Sequence, residues 1–356
     1  MDNRLDAIRV WLDEILPNQR FRLIAASGDA SFRRYFRVSR TGEQSLIVMD
    51  APPSHEDSRC FVERAALLRE VGVNAPEVLA TDFEQGFLLL GDLGTVHYLD
   101  VLDDGGVERL YGDAMGALLT IQACASCEGL PEYDDGLLCE EMLLFRDWFL
   151  DKHLGIPITD AMEEVLRDAF GFLRIVADEQ PRVFVHRDYH SRNLMVHARH
   201  NPGVLDFQDA VRGPVTYDPV SLLKDVYIGW PPARVQEWVL GYRDLAMQHG
   251  ILAAVDSATW LRWFDLMGAQ RHLKIAGIFA RLYHRDGKPG YLADIPLTLD
   301  YLTTVCRRYP ELAALGALLD GLDIRRLTQE RNASLLSDAE GPRHGEQGER
   351  RNGKDG

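Results

Sequence analysis

The stretch that decides the fold is residues 183–196, which read VFVHRDYHSRNLMV. Apolar residues typical of strands flank a polar loop that fits the pattern H-R-D-x-x-x-x-N, from His186 to Asn193. Asp206 follows thirteen residues after Asn193, at the end of a second short apolar run. Asp and Asn in loops often only cap turns, but this loop and this strand-end Asp, in this order, form an improbable chance match. The pattern predicts a polar site on a compact β block over residues 183–212.

The polar side chains of this block are those that phosphoryl transfer requires. The carboxylate of Asp188 can accept or orient the proton of an attacking hydroxyl, while Asn193 and Asp206 can hold Mg²⁺ against nucleotide phosphates. Hard oxygen ligands suit Mg²⁺, which takes one or two protein carboxylates and completes its shell with phosphate and water. We therefore predict a site for ATP and Mg²⁺ with Asp188 as the catalytic base.

The secondary-structure pattern of the sequence changes at residue 94. Short strand patterns separated by one helix precede it, and long helical patterns interrupted only by the β block follow it. This order predicts an α+β fold with a small β-rich lobe and a large helical lobe. The expected divisions are a nucleotide-binding lobe at 1–90, a hinge at 91–94, a helical lobe at 95–337 and a disordered, almost wholly polar tail at 338–356.

Composition excludes several function classes. The net charge of −16 argues against nucleic acid or an anionic membrane as the main partner. The sequence contains no apolar run long enough to span a bilayer, and residues 1–16 predict an amphipathic helix rather than a signal peptide. Five scattered cysteines fit a reducing compartment. We expect a cytoplasmic protein with a small-molecule substrate and no evident protein partner.

The polar loop and the Asp206 segment resemble those of the aminoglycoside phosphotransferase and choline kinase branch of the protein-kinase-like fold, over about residues 20 to 310. The resemblance implies a bilobal fold in which the backbone of Leu90 to Asp92 faces adenine. It also implies that Asp218 is a buried aspartate at a helix start that braces the catalytic loop. We interpret Asp218 and His186 as structural.

A narrower resemblance is to the anomeric amino-sugar kinases of bacterial cell-wall recycling. These enzymes phosphorylate N-acetylmuramate and N-acetylglucosamine at the 1-hydroxyl. The matching stretches are Gly28–Arg37, Met49–Pro53, Leu205–Ala210, Gln270–Arg281 and Arg285–Lys288. An amino-sugar acceptor is implied by this resemblance, whereas residue chemistry alone reaches only a hydroxyl acceptor.

The sequence departs from the kinase pattern at the lysine that usually holds the α- and β-phosphates from the third strand. Met49 stands near that slot, and the first lysine of the chain is Lys152. An arginine can bind phosphate in a bidentate way, so Arg33 or Arg34 is the candidate replacement, with Glu63 as a possible partner. The alternative is that both arginines are solvated charges. A small-residue turn is expected just before these arginines. Its candidates for covering the phosphates are Gly28, Asp29 and Ser31.

The acceptor side favours a small molecule, because only about ten residues separate Asp206 from the next helix and no A-P-E element follows. Each candidate contact has a structural alternative: a loop hydrogen bond for His190, ordinary packing for the aromatic residues, and solvation for Arg271 with Lys274. Asp209 is a candidate for a second Mg²⁺ or a substrate hydroxyl. Arg271 and Lys274, one turn apart, could meet the lactyl carboxylate of a muramic acid. The candidates for the acceptor are His190, Asp209, Trp230, Arg271 and Tyr283.

Two other functions stay open at the level of sequence. A kinase of the same fold could act on an aminoglycoside, choline or homoserine. Alternatively, the chain could be an inactive kinase-like binding module, which the missing lysine of the small lobe favours. The joint presence of Asp188, Asn193 and Asp206 argues against an inactive protein.

Overall fold

The N-terminal part of the protein is a five-stranded antiparallel sheet that lies between two helices. The structure is a computed structural model that describes residues 3–28 and 33–339. The sheet order is β1-β2-β3-β5-β4. Its elements are α1 (Asn3–Ile15), β1 (Phe21–Gly28), β2 (Arg34–Arg40), β3 (Leu46–Asp50), α2 (Ser58–Glu70), β4 (Val78–Asp82) and β5 (Phe87–Gly91).

The two faces of this sheet are buried separately because successive side chains of a strand point to opposite sides. One face packs under α1, where Trp11 lies against Phe87 with ring centroids 5.7 Å apart. The other face carries Met49, which is buried in the main core together with Phe61 of α2. Met49, which the sequence places near the lysine slot of kinases, is therefore a core residue.

The C-terminal part is helical and is built around one long buried helix. Its helices are α3 (Tyr98–Val101), α4 (Val107–Cys124), α5 (Asp135–Leu144), a π-helical segment (Phe145–His153), α6 (Asp160–Asp178), α7 (Tyr217–Leu223), α8 (Pro232–Gln248), α9 (Ser257–Asp286), α10 (Ile295–Arg308), α11 (Ala313–Gly321) and α12 (Ile324–Ala339), with short 3₁₀ turns at Pro289–Asp294 and Pro310–Leu312. Helix α9 packs against α5, α6, α7, α10 and the π-helical segment. At Gly277 an added Cβ would lie 2.3 Å from the backbone carbon of Leu144.

Four short strands form the compact block expected over residues 183–212. Strand β6 (Arg182–Val185) pairs with β9 (Val211–Pro214), and β7 (Leu194–Met195) pairs with β8 (Gly203–Val204), both antiparallel. The H-R-D loop therefore runs between β6 and β7, and Asp206 follows β8 directly. This pairing brings the two polar segments side by side.

The fold class is α+β, as the sequence predicts. Most of the predicted tail, from residue 340 onward, lies outside the described residues, and α12 continues to Ala339. None of the helices within residues 3–28 and 33–339 is long and apolar enough to cross a bilayer.

Candidate active site

The H-R-D loop is held by one buried carboxylate at the start of α7. The amide of His186 donates to Asp218 Oδ2 at 2.7 Å, and that of Arg187 donates to Oδ1 at 3.0 Å. Arg187 itself is in the left-handed region, with φ of 77°. Burial raises the pKa of Asp218 to about 7, although the two amide bonds act in the opposite direction. Asp218 thus fixes an otherwise unfavourable backbone turn immediately before Asp188.

His186 lies in the core below this turn. Its side chain is fully buried, and Nδ1 accepts a hydrogen bond from the amide of Asp188 at 3.3 Å. Burial lowers the pKa of His186 to about 4, so the ring is neutral near pH 7 and can act as an acceptor. The position of His186 matches the structural role expected for it.

Asn193 connects the two polar segments. Its Nδ2 donates to the backbone oxygen of Asp188 at 3.0 Å and to Oδ2 of Asp206 at 3.3 Å. The amide of Leu205 in turn donates to the Asn193 backbone oxygen at 2.9 Å. Asp206 has a left-handed φ of 64°, which turns the chain sharply after β8. Both hydrogen bonds of the Asn193 side chain use the nitrogen, so its oxygen remains available beside the Asp206 carboxylate.

These oxygens fit a magnesium ion. Within residues 3–28 and 33–339 no group of three or more His, Cys, Asp or Glu side chains could hold a metal. One amide oxygen and one carboxylate are the sparse, hard donor set that Mg²⁺ accepts, since it retains water and phosphate ligands. Asn193 and Asp206 are the residues that would hold the ion.

Asp188 lies above a group of buried cations. Its side chain is 40% exposed, and Oδ1 lies 4.0 Å from Nη1 of Arg271, whose side chain is only 2% exposed. Burial alone would raise the pKa of Asp188, but the charges of Lys274 and Arg271 outweigh it and hold the pKa well below its usual range. Asp188 is therefore ionised at neutral pH.

The alternative that Arg271 and Lys274 are solvated is wrong, because both side chains are buried under the catalytic loop. Lys274 Nζ lies 2.9 Å from Glu141 Oε1 and donates to the Tyr217 hydroxyl at 2.9 Å, so it is committed within the protein. Arg271 differs, because its Nη1 has no hydrogen-bond partner among the described residues. Arg271 therefore keeps a donor that could meet a ligand.

A cleft of about 660 Å³ opens between the sheet and the helical part, and we call it the central cleft. Its walls include Asn193, Asp206 and the segment from Leu90 to Asp92, as well as a group of apolar side chains. The Asp92 carboxylate accepts from Arg37 Nε and Ser45 Oγ, each at 2.6 Å, so the polar groups that this segment offers a ligand are those of its backbone. The apolar lining suits a planar base and includes Ala26, Ile47, Leu90, Met195 and Leu205.

Arg33 and Arg34 point to different places, because neighbouring residues of a strand face opposite sides. Arg33 is 8% exposed, with Nε 3.3 Å from Glu56 Oε2 and Nη1 3.8 Å from Asp206 Oδ1. Arg34 turns away and donates from Nε to the buried Asp50 at 2.9 Å. The candidacy of Arg34 as the phosphate ligand is therefore wrong, and Arg33 is the one of the two that lies close to Asp206.

The partner of Arg33 also differs from the expected one. Glu63 is exposed on α2, whereas Glu56 precedes the Asp57 N-cap of that helix and reaches Arg33. Sequence spacing could not find Glu56, because its position depends on how the segment before α2 folds back over β2. Asp29 and Ser31 lie outside the described residues, and Gly28 ends β1 paired with Arg34.

The other acceptor candidates divide into two groups. His190 is 9% exposed next to Asp188, with its ring 5.3 Å from that of Tyr227. Asp209 is exposed near Asp206 and accepts from Gln208 Nε2 at 3.3 Å. The two aromatic candidates, Trp230 and Tyr283, both pack against other rings.

Trp230 packs against Trp238 and donates from its ring nitrogen to the Tyr111 hydroxyl at 3.0 Å. Tyr283 lies twelve residues beyond Arg271 on α9, about 18 Å along the helix, and packs against His153. Both rings serve the packing role that was their structural alternative.

Taken together, an ionised carboxylate, two oxygen ligands for a divalent cation and a cleft with an apolar floor are what phosphoryl transfer to a hydroxyl requires. Comparison with known proteins agrees. Residues 22–251 match the model of the family described as "Phosphotransferase enzyme family".

Curated relatives extend the similarity over nearly the whole chain. An N-acetylmuramate/N-acetylglucosamine kinase from Pseudomonas aeruginosa is 48% identical over 331 residues, which cover 90% of this chain and 97% of that protein. A kinase of the same name from Neisseria meningitidis is 43% identical and covers 88% of this chain and 94% of its own length.

Solved structures show the same fold at low identity. A choline/ethanolamine kinase family protein from Mesorhizobium loti aligns with a TM-score of 0.60 at 14% identity, over 88% of this chain and 98% of that one. Choline kinase LicA from Streptococcus pneumoniae gives 0.57 at 12% identity, over 85% of this chain and 100% of that one. Fold, site and sequence therefore agree that the chain belongs to the phosphotransferase enzyme family.

Proposed function

We propose that this protein uses Mg²⁺ and ATP to phosphorylate the anomeric 1-hydroxyl of N-acetylmuramate and N-acetylglucosamine, as a cytoplasmic step that feeds peptidoglycan recycling. The observation that carries the proposal is the convergence of Asp188, Asn193 and Asp206 at the edge of the central cleft. The names of relatives at 43–48% identity support the choice of acceptor.

Asp188 is the catalytic base of the proposed reaction. Because its pKa lies well below the usual range, it is a weak base, and it takes the proton only as the bond to phosphorus forms. Its earlier task is to orient the acceptor hydroxyl for in-line attack. A loose transition state needs little base strength but strict positioning, which the Asp218 brace supplies.

The nucleotide occupies the central cleft, with adenine between the apolar walls and its edge at the backbone of Leu90 to Asp92. Arg33, which lies close to Asp206, takes over the role of the missing lysine and binds the phosphates. Asn193 and Asp206 are the residues that would hold Mg²⁺, whose charge would offset that of the phosphates.

The charges near Asp188 disfavour the other acceptors. A cationic acceptor such as choline or an aminoglycoside needs a pocket lined with carboxylates. Here Arg271 and Lys274 lie beneath Asp188, and Arg192 lies on the cleft wall nearby. A neutral or anionic sugar fits this surface better. The cation supplied by Arg33 also removes the main argument for an inactive binding module.

The test is a turnover panel on the purified chain with Mg²⁺ and ATP. ADP release is followed with N-acetylmuramate, N-acetylglucosamine, choline and kanamycin, and the product is identified by phosphorus NMR. We expect release with the two sugars and a phosphate on the anomeric carbon. Turnover of choline or kanamycin alone, or a phosphate at another hydroxyl, would contradict the proposal.

A further inference from the structure

Arg192 is an arginine in the H-R-D loop to which no step of the proposed reaction assigns a partner. Its guanidinium carbon lies 3.7 Å from the ring centre of Tyr227 and 5.6 Å from that of Tyr291. It lines the central cleft next to Asn193 and is 41% exposed. Two aromatic faces thus fix the position of this cation at the cleft wall.

The counter-ion of Arg192 is only loosely engaged. Its Nη2 lies 3.8 Å from Asp294 Oδ2, which is beyond hydrogen-bond distance. That oxygen is buried and has no hydrogen-bond partner among the described residues. Within the same part of the chain, the Arg192 guanidinium makes no direct hydrogen bond either. The Asp294 carboxylate and the Arg192 guanidinium are therefore close, but they do not form the charged hydrogen bond that would be the strongest interaction of each.

Among the other cations near the cleft, Arg271 is only 2% exposed beneath Asp188, and the rest already bind carboxylates. Arg37 holds Asp92 and donates to the Gly94 oxygen at 2.7 Å, and Arg33 holds Glu56. Arg187 and Lys274 both bind Glu141. Arg192 is therefore the exposed cation of the described cleft wall that can bind an additional anion without breaking a hydrogen bond.

Arg192 follows Asp188 by four residues in the same loop and lines the cleft beside Asn193. His190 lies between Asp188 and Arg192 in the loop, and its electrostatic environment includes both of them. In N-acetylmuramate the carboxylate is carried by the lactyl substituent on C3, which is two bonds along the ring from the anomeric carbon. An acceptor whose 1-hydroxyl meets Asp188 can therefore direct that substituent toward Arg192.

We propose that Arg192 is a specificity-determining residue that binds the carboxylate of an acidic acceptor and releases Asp294 in doing so. This inference rests on the proposed function. A guanidinium matches a carboxylate with two parallel hydrogen bonds, which the present 3.8 Å contact does not provide. A neutral acceptor leaves the Arg192–Asp294 pair in place. One site thereby accepts both N-acetylmuramate and N-acetylglucosamine.

The test compares kcat/KM for three acceptors: N-acetylmuramate, N-acetylglucosamine and 3-O-methyl-N-acetylglucosamine, which carries a neutral group at the same position. Arg192→Gln should lower kcat/KM for N-acetylmuramate about 10- to 100-fold, the loss expected for one charge-assisted interaction. The two neutral sugars should change by less than about threefold. Arg192→Lys should recover part of the preference for N-acetylmuramate. Asp294→Asn should raise the ratio of kcat/KM for N-acetylmuramate to kcat/KM for N-acetylglucosamine.

Arg262→Gln is the matched control, because Arg262 also lies over an aromatic ring, Phe172, and pairs with Glu179 outside the cleft. The affinity for ADP, measured on each variant, reports whether the nucleotide site is intact. Equal losses for all three sugars, or weaker ADP binding in Arg192→Gln, would assign Arg192 to phosphate and overturn the inference. A lower kcat/KM ratio of N-acetylmuramate to N-acetylglucosamine in Asp294→Asn would contradict the proposal that the substrate carboxylate displaces Asp294 from Arg192. If the unmodified chain turned over no sugar, the proposed function would fail first.

Discussion

Asp188 is a single residue whose chemistry is set by neighbours that are distant in the sequence. Arg271 and Lys274 come from α9, more than eighty positions later in the chain, yet they decide the charge state of the carboxylate. Their effect is to keep Asp188 ionised at the expense of its strength as a base. The site therefore depends on orientation more than on proton affinity.

Removing one of these cations should change the pH dependence of the reaction. Arg271→Gln takes away a buried positive charge, so we expect the pKa of Asp188 to rise toward its ordinary value. A group with a depressed pKa stays ionised until the pH falls through that pKa. The acid limb of kcat/KM should therefore move to higher pH in the variant. A pH–rate profile measures this shift.

The control for this profile is Arg285→Gln, which removes an exposed arginine near the end of the same helix. It should leave the acid limb in place. If Arg271→Gln lowered activity equally at every pH, Arg271 would contact the acceptor without tuning Asp188.

The two neighbouring arginines of the β1–β2 region give a second prediction. Arg33→Ala should weaken the binding of Mg²⁺–ATP by about 10- to 100-fold, the value of one charged contact to phosphate. Arg34→Ala should change it by less than about threefold, since that side chain binds Asp50. Calorimetric titration with a non-hydrolysable ATP analogue distinguishes them. Equal effects would contradict the assignment of Arg33 to the phosphates.

At this scale the sequence predicts the local motif and little of its surroundings. The H-R-D loop is contiguous, so its residues could be named without a structure. The choice between Arg33 and Arg34 depends on the register of β2, which a sequence does not specify. Glu56 and Asp294 come from segments without periodic pattern, so no signal identified them.

At the scale of elements, α9 is the part of the fold on which the site rests. Its thirty residues are buried along most of their length, and Arg271, His272 and Lys274 are buried with them. A helix that is buried on every side has no apolar stripe, so its periodicity predicts a helix without telling which face meets the site. The helix was predicted, but the burial of its charges was not.

The closest approach of α9 to another element gives a third prediction. Gly277→Ala would place a Cβ 2.3 Å from the Leu144 backbone, which cannot move like a side chain. We expect the free energy of unfolding to fall by about 1–3 kcal/mol, despite the better helix propensity of alanine. Denaturant titration measures the change.

Gly241→Ala on α8 is the matched control, because its added Cβ would meet no atom within 4 Å beyond the backbone of its own helix. It should raise the free energy of unfolding by about 0.5–1 kcal/mol, the propensity gain of alanine over glycine. An unchanged or more stable Gly277→Ala protein would mean that α9 can shift away from Leu144 at little cost.

At the scale of the whole molecule, an acidic chain gathers cations at one place. The net charge of −16 opposes an anionic nucleotide, while Arg33, Arg192 and Arg271 lie around the cleft and Asp188. Such local charges matter more than the net charge, because salt screens distant exposed charges within about 10 Å. The division into a sheet-bearing and a helical part brings these residues together from distant parts of the sequence.

The measurement that tests the central claim most directly is made on Asp188→Asn in the intact chain. Sugar-dependent ADP release and the affinity for a Mg²⁺–ATP analogue are determined on the same preparation. We predict that turnover falls by about 10²- to 10⁴-fold, the usual contribution of a catalytic base, while nucleotide affinity stays within about threefold. Turnover within tenfold of the unmodified protein would contradict the assignment of Asp188 as the base.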